Sequence, residues 1–236
     1  MRSLIVIGMF AATLTHAAWN GYTEDRSLEL ATDGISRLGI DAGAGSLEVR
    51  GVDDEGRITV KATINVPDAD DEEAQEQIAK HLRLTLEKVR GEARLIANFE
   101  GSSRMWRDSP TVDLDVSVPR SIALFVDDGS GAIDITGLDS DVTIDDGSGS
   151  IRVDQVRSLT IDDGSGSITV SGIAGDVDIE DGSGSIEIRH VGGGVRIDDG
   201  SGGIDVADVE ADLVIENDGS GGLKATDVRG RVINES

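Results

Sequence analysis

Asp145-Asp146-Gly147-Ser148-Gly149-Ser150-Ile151-Arg152-Val153 is followed by Asp162-Asp163-Gly164-Ser165-Gly166-Ser167-Ile168-Thr169-Val170, and that repetition decides the fold. The tetrapeptide Asp-Gly-Ser-Gly begins at Asp128, Asp146, Asp163, Asp181, Asp199 and Asp218, spaced by 18, 17, 18, 18 and 19 residues. A fixed period of this size marks a stacked repeat architecture. Between the tetrapeptides the aliphatic residues fall in columns. One holds Ile133, Ile151, Ile168, Ile186, Ile204 and Leu223; the next holds Ile135, Val153, Val170, Ile188, Val206 and Ala225. Further columns run through Leu138 to Val228, Val142 to Val232, and Ile144 to Ile215, where the last member becomes Asn234. Alternate residues share a strand face, so each strand has one apolar side, and the β-branched side chains suit strands.

These columns predict an all-β protein: a parallel β-solenoid with coils of about 18 residues and right-handed connections, turned at Asp-Gly-Ser-Gly. Asp there is suited to accept from the N–H two residues on, and Gly to reach positive φ. Outside the six repeats, Ile40-Asp41-Ala42-Gly43-Ala44-Gly45-Ser46-Leu47-Glu48-Val49 reads as a degenerate copy of turn and strand. Pro67 to about Ala79 suits a short helix. Leu82, Leu84 and Leu86, the turn at Val89–Glu92, and Leu95, Ala97 and Phe99 suggest a hairpin. The expected division is a signal peptide over 1–17, a β-rich capping section with one short helix over 18–118, and the solenoid over 119–236. In the last coil, Lys224, Arg229, Arg231 and Asn234 read as an edge unattractive to further strands.

Composition narrows the function. Asp plus Glu is 46 against 21 Lys plus Arg, a formal charge of −25. Phosphate binding requires basic stripes, so no nucleic-acid partner is expected, nor adsorption to anionic lipid. Aromatics are 3% and Cys is absent, which argues against base-stacking platforms and excludes disulfides and thiolate chemistry. Met1-Arg2-Ser3, the apolar run Leu4–Leu14 and Thr15-His16-Ala17 form a secretory signal pattern too short to span a bilayer. No later segment has transmembrane length. The expected location is extracytoplasmic: periplasm, secreted, or cell surface.

The run Val116-Ser117-Val118-Pro119-Arg120, then Leu124-Phe125-Val126 and Ser130-Gly131-Ala132-Ile133-Asp134-Ile135, resembles the bacterial putative-adhesin family, a domain of unknown function with β-strand repeats. The likeness covers roughly residues 35–236. It implies an extracytoplasmic protein with a β-solenoid body and brings no catalytic residues with it.

Two groups of candidate site residues stand out. Asp128, Asp146, Asp163, Asp181, Asp199 and Asp218 would stack about 4.8 Å apart, where like charges repel. Solvation of an acidic ridge, turn hydrogen bonds, or weakly bound calcium would relieve this. Arg104, Trp106 and Arg107 form a basic, aromatic cluster in an acidic chain, suited either to plugging the N-terminal sheet or to contacting a glycan or protein. Catalysis has little support. The carboxylate pairs recur instead of forming one unique pair, Ser148 and Ser165 lack a nucleophile elbow, and His190 reads as an outward residue. No phosphate loop is present. The expected function is a non-enzymatic envelope or surface protein, an adhesin or scaffold whose partner is an envelope protein or glycan. The alternatives are a self-assembling structural protein and a polysaccharide-active enzyme.

Overall fold

A computed structural model describes residues 21–53, 56–101 and 109–235. The signal-peptide reading and Arg104, Trp106 and Arg107 lie outside the described residues. The described residues are all-β with one helix, and all their strands join one sheet system.

The six repeat coils begin within β8 (Ala123–Asp146) and continue through β9 (Gly149–Asp163). β10 (Gly166–Ile173), β12 (Gly184–Val191), β14 (Gly202–Val209) and β16 (Leu223–Val228) form one side. β11 (Val177–Asp181), β13 (Val195–Asp199), β15 (Leu213–Asn217) and β17 (Val232–Asn234) form the other. Every rung pairs in parallel with the next. Ile133, Ile151, Ile168, Ile186, Ile204 and Leu223 are successive register partners, as the columns predict. The inner face is buried from Ile133 to Ile215, so stacking provides the apolar interior that one coil could not enclose.

The two irregular spacings have local causes. Where the interval is 17, the register slips between Leu138 and Asp141, and one residue is omitted at the corner. Where it is 19, the partners jump from Ile197↔Ile215 to Asp198↔Asn217, so Glu216 bulges out. The second corner of each coil uses a left-handed residue: Gly137, Gln155, Gly172, His190, Asp208 or Asp227.

The N-terminal strands enter the same stack. β2 (Arg37–Ala44) and β3 (Leu47–Val52) form a coil directly on β8, with Ala42 over Asp128 and Leu47 over Ile133. The degenerate copy read from the sequence is therefore a rung of the solenoid. β6 (Glu92–Phe99) and β7 (Thr111–Pro119) lie in parallel on its other side. Antiparallel strands then close this end: β5 (Leu82–Val89) on β6, β4 (Arg57–Pro67) on β7, and β1 (Gly21–Ala31) on β4. The helix α1 (Asp71–His81) connects β4 to β5 and buries Ala74 and Ile78. The Asp70 carboxylate caps it, accepting from the Glu72 and Glu73 N–H groups.

The other end is open. Leu223, Ala225 and Val228 are only half-buried and Val232 is 51% exposed. Lys224, Arg229 and Arg231 turn back to Asp205, Glu210 and Asp212 of the preceding coil at 2.9, 2.6 and 2.5 Å. No helix among the described residues is long and apolar enough to cross a membrane.

Candidate functional site

The paired acidic residues at each turn face opposite ways, because neighbours along a strand alternate faces. Asp145, Asp162, Glu180 and Asp198 point outward on four successive rungs. Asp128, Asp146, Asp163, Asp181 and Asp199 point inward and are between 0% and 4% exposed. An acidic ridge thus exists only for the first member of each pair; the second member forms a row inside the coil. Within that row, the Oδ1 atoms of Asp146, Asp163, Asp181 and Asp199 accept from the N–H two residues on, at 3.2, 3.0, 3.0 and 2.9 Å. This is the Asx-turn anticipated from the sequence.

The second oxygen, Oδ2, of all five carboxylates is buried without a hydrogen-bond partner. Burial raises every one of these carboxyls, and repulsion from the neighbouring rungs adds to it for Asp128, Asp146, Asp181 and Asp199. Asp128 is pushed up to about 7, and Asp146 and Asp181 to about 6. Leaving several adjacent buried carboxylates ionised would be expensive, so the row favours protonated rungs.

Asp218 departs from the row. The bulge at Glu216 shifts the turn by one residue, and Asn217 makes the Asx contact to the Gly219 N–H at 3.0 Å. Asp218 is half-buried and reaches Asn234 at 3.4 Å. Among the described residues, no three His, Cys, Asp or Glu side chains converge as a metal cage would require; the aspartates form a line.

The second glycine of each turn permits this stacking. At Gly149 (φ 148°) an added Cβ would lie 1.7 Å from the Gly131 carbonyl oxygen. His190 sits at the opposite corner, exposed, its Nε2 3.3 Å from Asp208 Oδ2 of the next coil. It is an outward residue, as expected.

A second feature lies on the outer face near the capped end, and the sequence reading missed it. Arg94, Gly39 and Phe125 occupy one outward column on three successive rungs. Beside them, Asp41 stands over Asp127. The β5–β6 turn brings in Val89 and Arg90, the latter left-handed at φ 53°. These residues line a slot of about 570 Å³. Asn98 Nδ2 donates to Asp41 Oδ1 at 3.0 Å, and Arg94 lies 3.7 Å from Asp41 Oδ2. The signal in the sequence was Phe125 at an outward strand position paired with a glycine, legible only once the register is known.

Comparison with known proteins agrees with this architecture. The model of the family described as Toastrack DUF4097 matches residues 35–232. Among solved structures, a putative adhesin from Bacteroides fragilis NCTC 9343 aligns at a TM-score of 0.53 and 12% identity, over 89% of this chain and 97% of that one. A putative lipid binding protein from Parabacteroides distasonis ATCC 8503 aligns at 0.44 and 15%, over 92% and 96%. A putative cell adhesion protein from Clostridium sporogenes ATCC 15579 aligns at 0.39 and 14%, over 90% and 98%. At 12% identity the likeness to the Bacteroides fragilis structure is one of fold. No curated protein matches. With the family model spanning most of the sequence and the coils stacked as the repeat requires, the chain belongs to the Toastrack DUF4097 family.

Proposed function

We propose that this is a non-enzymatic, exported envelope or surface protein that presents a rigid β-solenoid for adhesion or scaffolding. One observation carries the reading. From Ala123 to Asn234 the rungs follow one another through short corners, with no inserted loop to build a cleft. Each carboxylate pair is repeated on its neighbours, so no pair has the unique setting that acid–base chemistry needs. A stiff repeated surface suits contact with a partner. The description of the Bacteroides fragilis neighbour as a putative adhesin supports the same reading. Arg104, Trp106 and Arg107, on the segment joining β6 to β7, are proposed as a further contact with a glycan or protein.

Binding of the purified full chain to the envelope fraction of its own organism, with and without chelator, tests this. Saturable binding is expected. Cleavage of acidic polysaccharides by the purified chain would overturn it. Exposure of Val232 at the open end favours a second reading, self-association through solenoid ends, which light scattering across concentration would reveal as growing mass.

A further inference from the structure

The slot beside Phe125 has a chemistry of its own. Among the described residues three large hydrophobic side chains are exposed, and two of them, Phe125 at 40% and Val89 at 38%, line this slot. The third, Val232, lies at the open end. The floor is the backbone at Gly39, set between Arg94 on one adjacent rung and Phe125 on the other. Rungs about 4.8 Å apart place those two side chains roughly 10 Å apart, so a six-membered ring fits between them.

Nothing in the packing requires glycine at position 39. A Cβ there would meet its nearest neighbour, the Ala93 carbonyl oxygen, at 4.0 Å. The missing side chain leaves the slot open.

The rim combines both hydrogen-bonding senses. Asp41 and Asp127 accept, and Arg90 and Arg94 donate. Among the described residues Arg90 has no ion-pair partner, so its guanidinium is available to a ligand. Asp41 is held in place by Asn98 and Arg94, and a pre-oriented acceptor loses less on binding. A purely apolar ligand would desolvate these groups without compensation. A polyanion would meet Asp41, Glu92 and Asp127 in a protein of net charge −25. A ring with one apolar C–H face and hydroxyls around its edge satisfies every part: the face on Phe125, the hydroxyls on the carboxylates and guanidinium groups.

We propose that this slot binds a pyranose ring of a neutral glycan, with Phe125 as the stacking platform and Gly39 as the floor. The proposal deepens the adhesin reading and rests on it.

The test is calorimetric titration of the full chain with maltotetraose, cellotetraose and the N-acetylglucosamine tetramer, with oligogalacturonate as the anionic control. Saturable binding of at least one neutral oligosaccharide is expected, with oligogalacturonate weaker. Gly39→Leu and Phe125→Ala should each weaken that binding at least about tenfold, while the melting temperature of Gly39→Leu stays at the wild-type value. No binding by any neutral oligosaccharide, stronger binding of oligogalacturonate, or affinity unchanged by both substitutions would overturn the proposal. If envelope binding persists in Gly39→Leu, the adhesin reading survives and the slot is not its site; loss of both places the adhesive contact here.

Discussion

Asp146 and Asp163 stand one above the other inside the coil, in register on adjacent parallel rungs. Each gives one carboxylate oxygen to the N–H two residues on, and each leaves the other oxygen buried and unpartnered. This relationship repeats up the solenoid and couples stability to protons.

The pH dependence follows from its sign. These aspartates titrate higher in the folded chain than the ordinary unfolded value of about 3.9, Asp128 at about 7 and Asp146 and Asp181 at about 6. The folded state therefore binds more protons between those values. The stability they contribute is fully present below about pH 4 and is lost as pH rises through 6 to 7. Asp141, Asp205 and Asp212 shift the other way, held low by hydrogen bonds to Arg157, Lys224 and Arg231, and they favour folding above pH 4. Thermal melting should show greatest stability near pH 5 and a clear fall by pH 8. A flat profile between pH 5 and 8 would contradict the protonated row.

Asp146→Asn removes one rung that titrates at about 6 and keeps the amide oxygen that accepts from the Ser148 N–H. At pH 8 this substitution should stabilise by roughly 1–3 kcal/mol, and at pH 5 it should change little. Chemical denaturation at the two pH values checks it. Destabilisation at pH 8 would mean that the ionised carboxylate is needed.

Calcium on the aspartate row is a proposal that rests on the same orphan oxygens. With no three carboxylates converging among the described residues, any ion would be weakly held between neighbouring rungs. At pH 8, above the values of Asp128, Asp146 and Asp181, millimolar Ca²⁺ should raise the melting temperature more than NaCl of equal ionic strength. An equal response to both salts would remove the ion.

Gly149→Ala tests the close approach of the turns. The new Cβ would fall 1.7 Å from the Gly131 oxygen at a φ of 148°, so the two rungs would have to separate. A loss of about 3 kcal/mol or more is expected, measured by urea unfolding. Gly203→Ala, where an added Cβ meets nothing within 4 Å, should cost far less.

The fold was legible because Ile151, Ile168 and Ile186 recur at nearly constant spacing, and constant spacing forces vertical stacking. The Asx-turns were legible for the same local reason. The inward direction of Asp146 was available from alternation with Ile144, yet the charge of the side chain suggested solvent; backbone periodicity prevailed over side-chain polarity. The departure of Asp218 was hidden because a bulge at Glu216 moves the turn without altering the tetrapeptide. The slot was invisible for a different reason. Arg94, Gly39 and Phe125 are far apart in sequence, and β2 lies between β6 and β8 only because the chain inserts an earlier coil between two later ones.

The central claim is the in-register stack itself, and the absence of Cys allows paired spin labels at introduced cysteines. Glu48, Asp134, Arg152, Thr169, Glu187, Asp205 and Lys224 form one outward column of successive register partners. Electron-spin distances from Glu48→Cys to Glu187→Cys, Asp205→Cys and Lys224→Cys should grow linearly, at roughly 19, 24 and 29 Å for about 4.8 Å per rung. Distances that fail to increase by one rung at each step would contradict the stack.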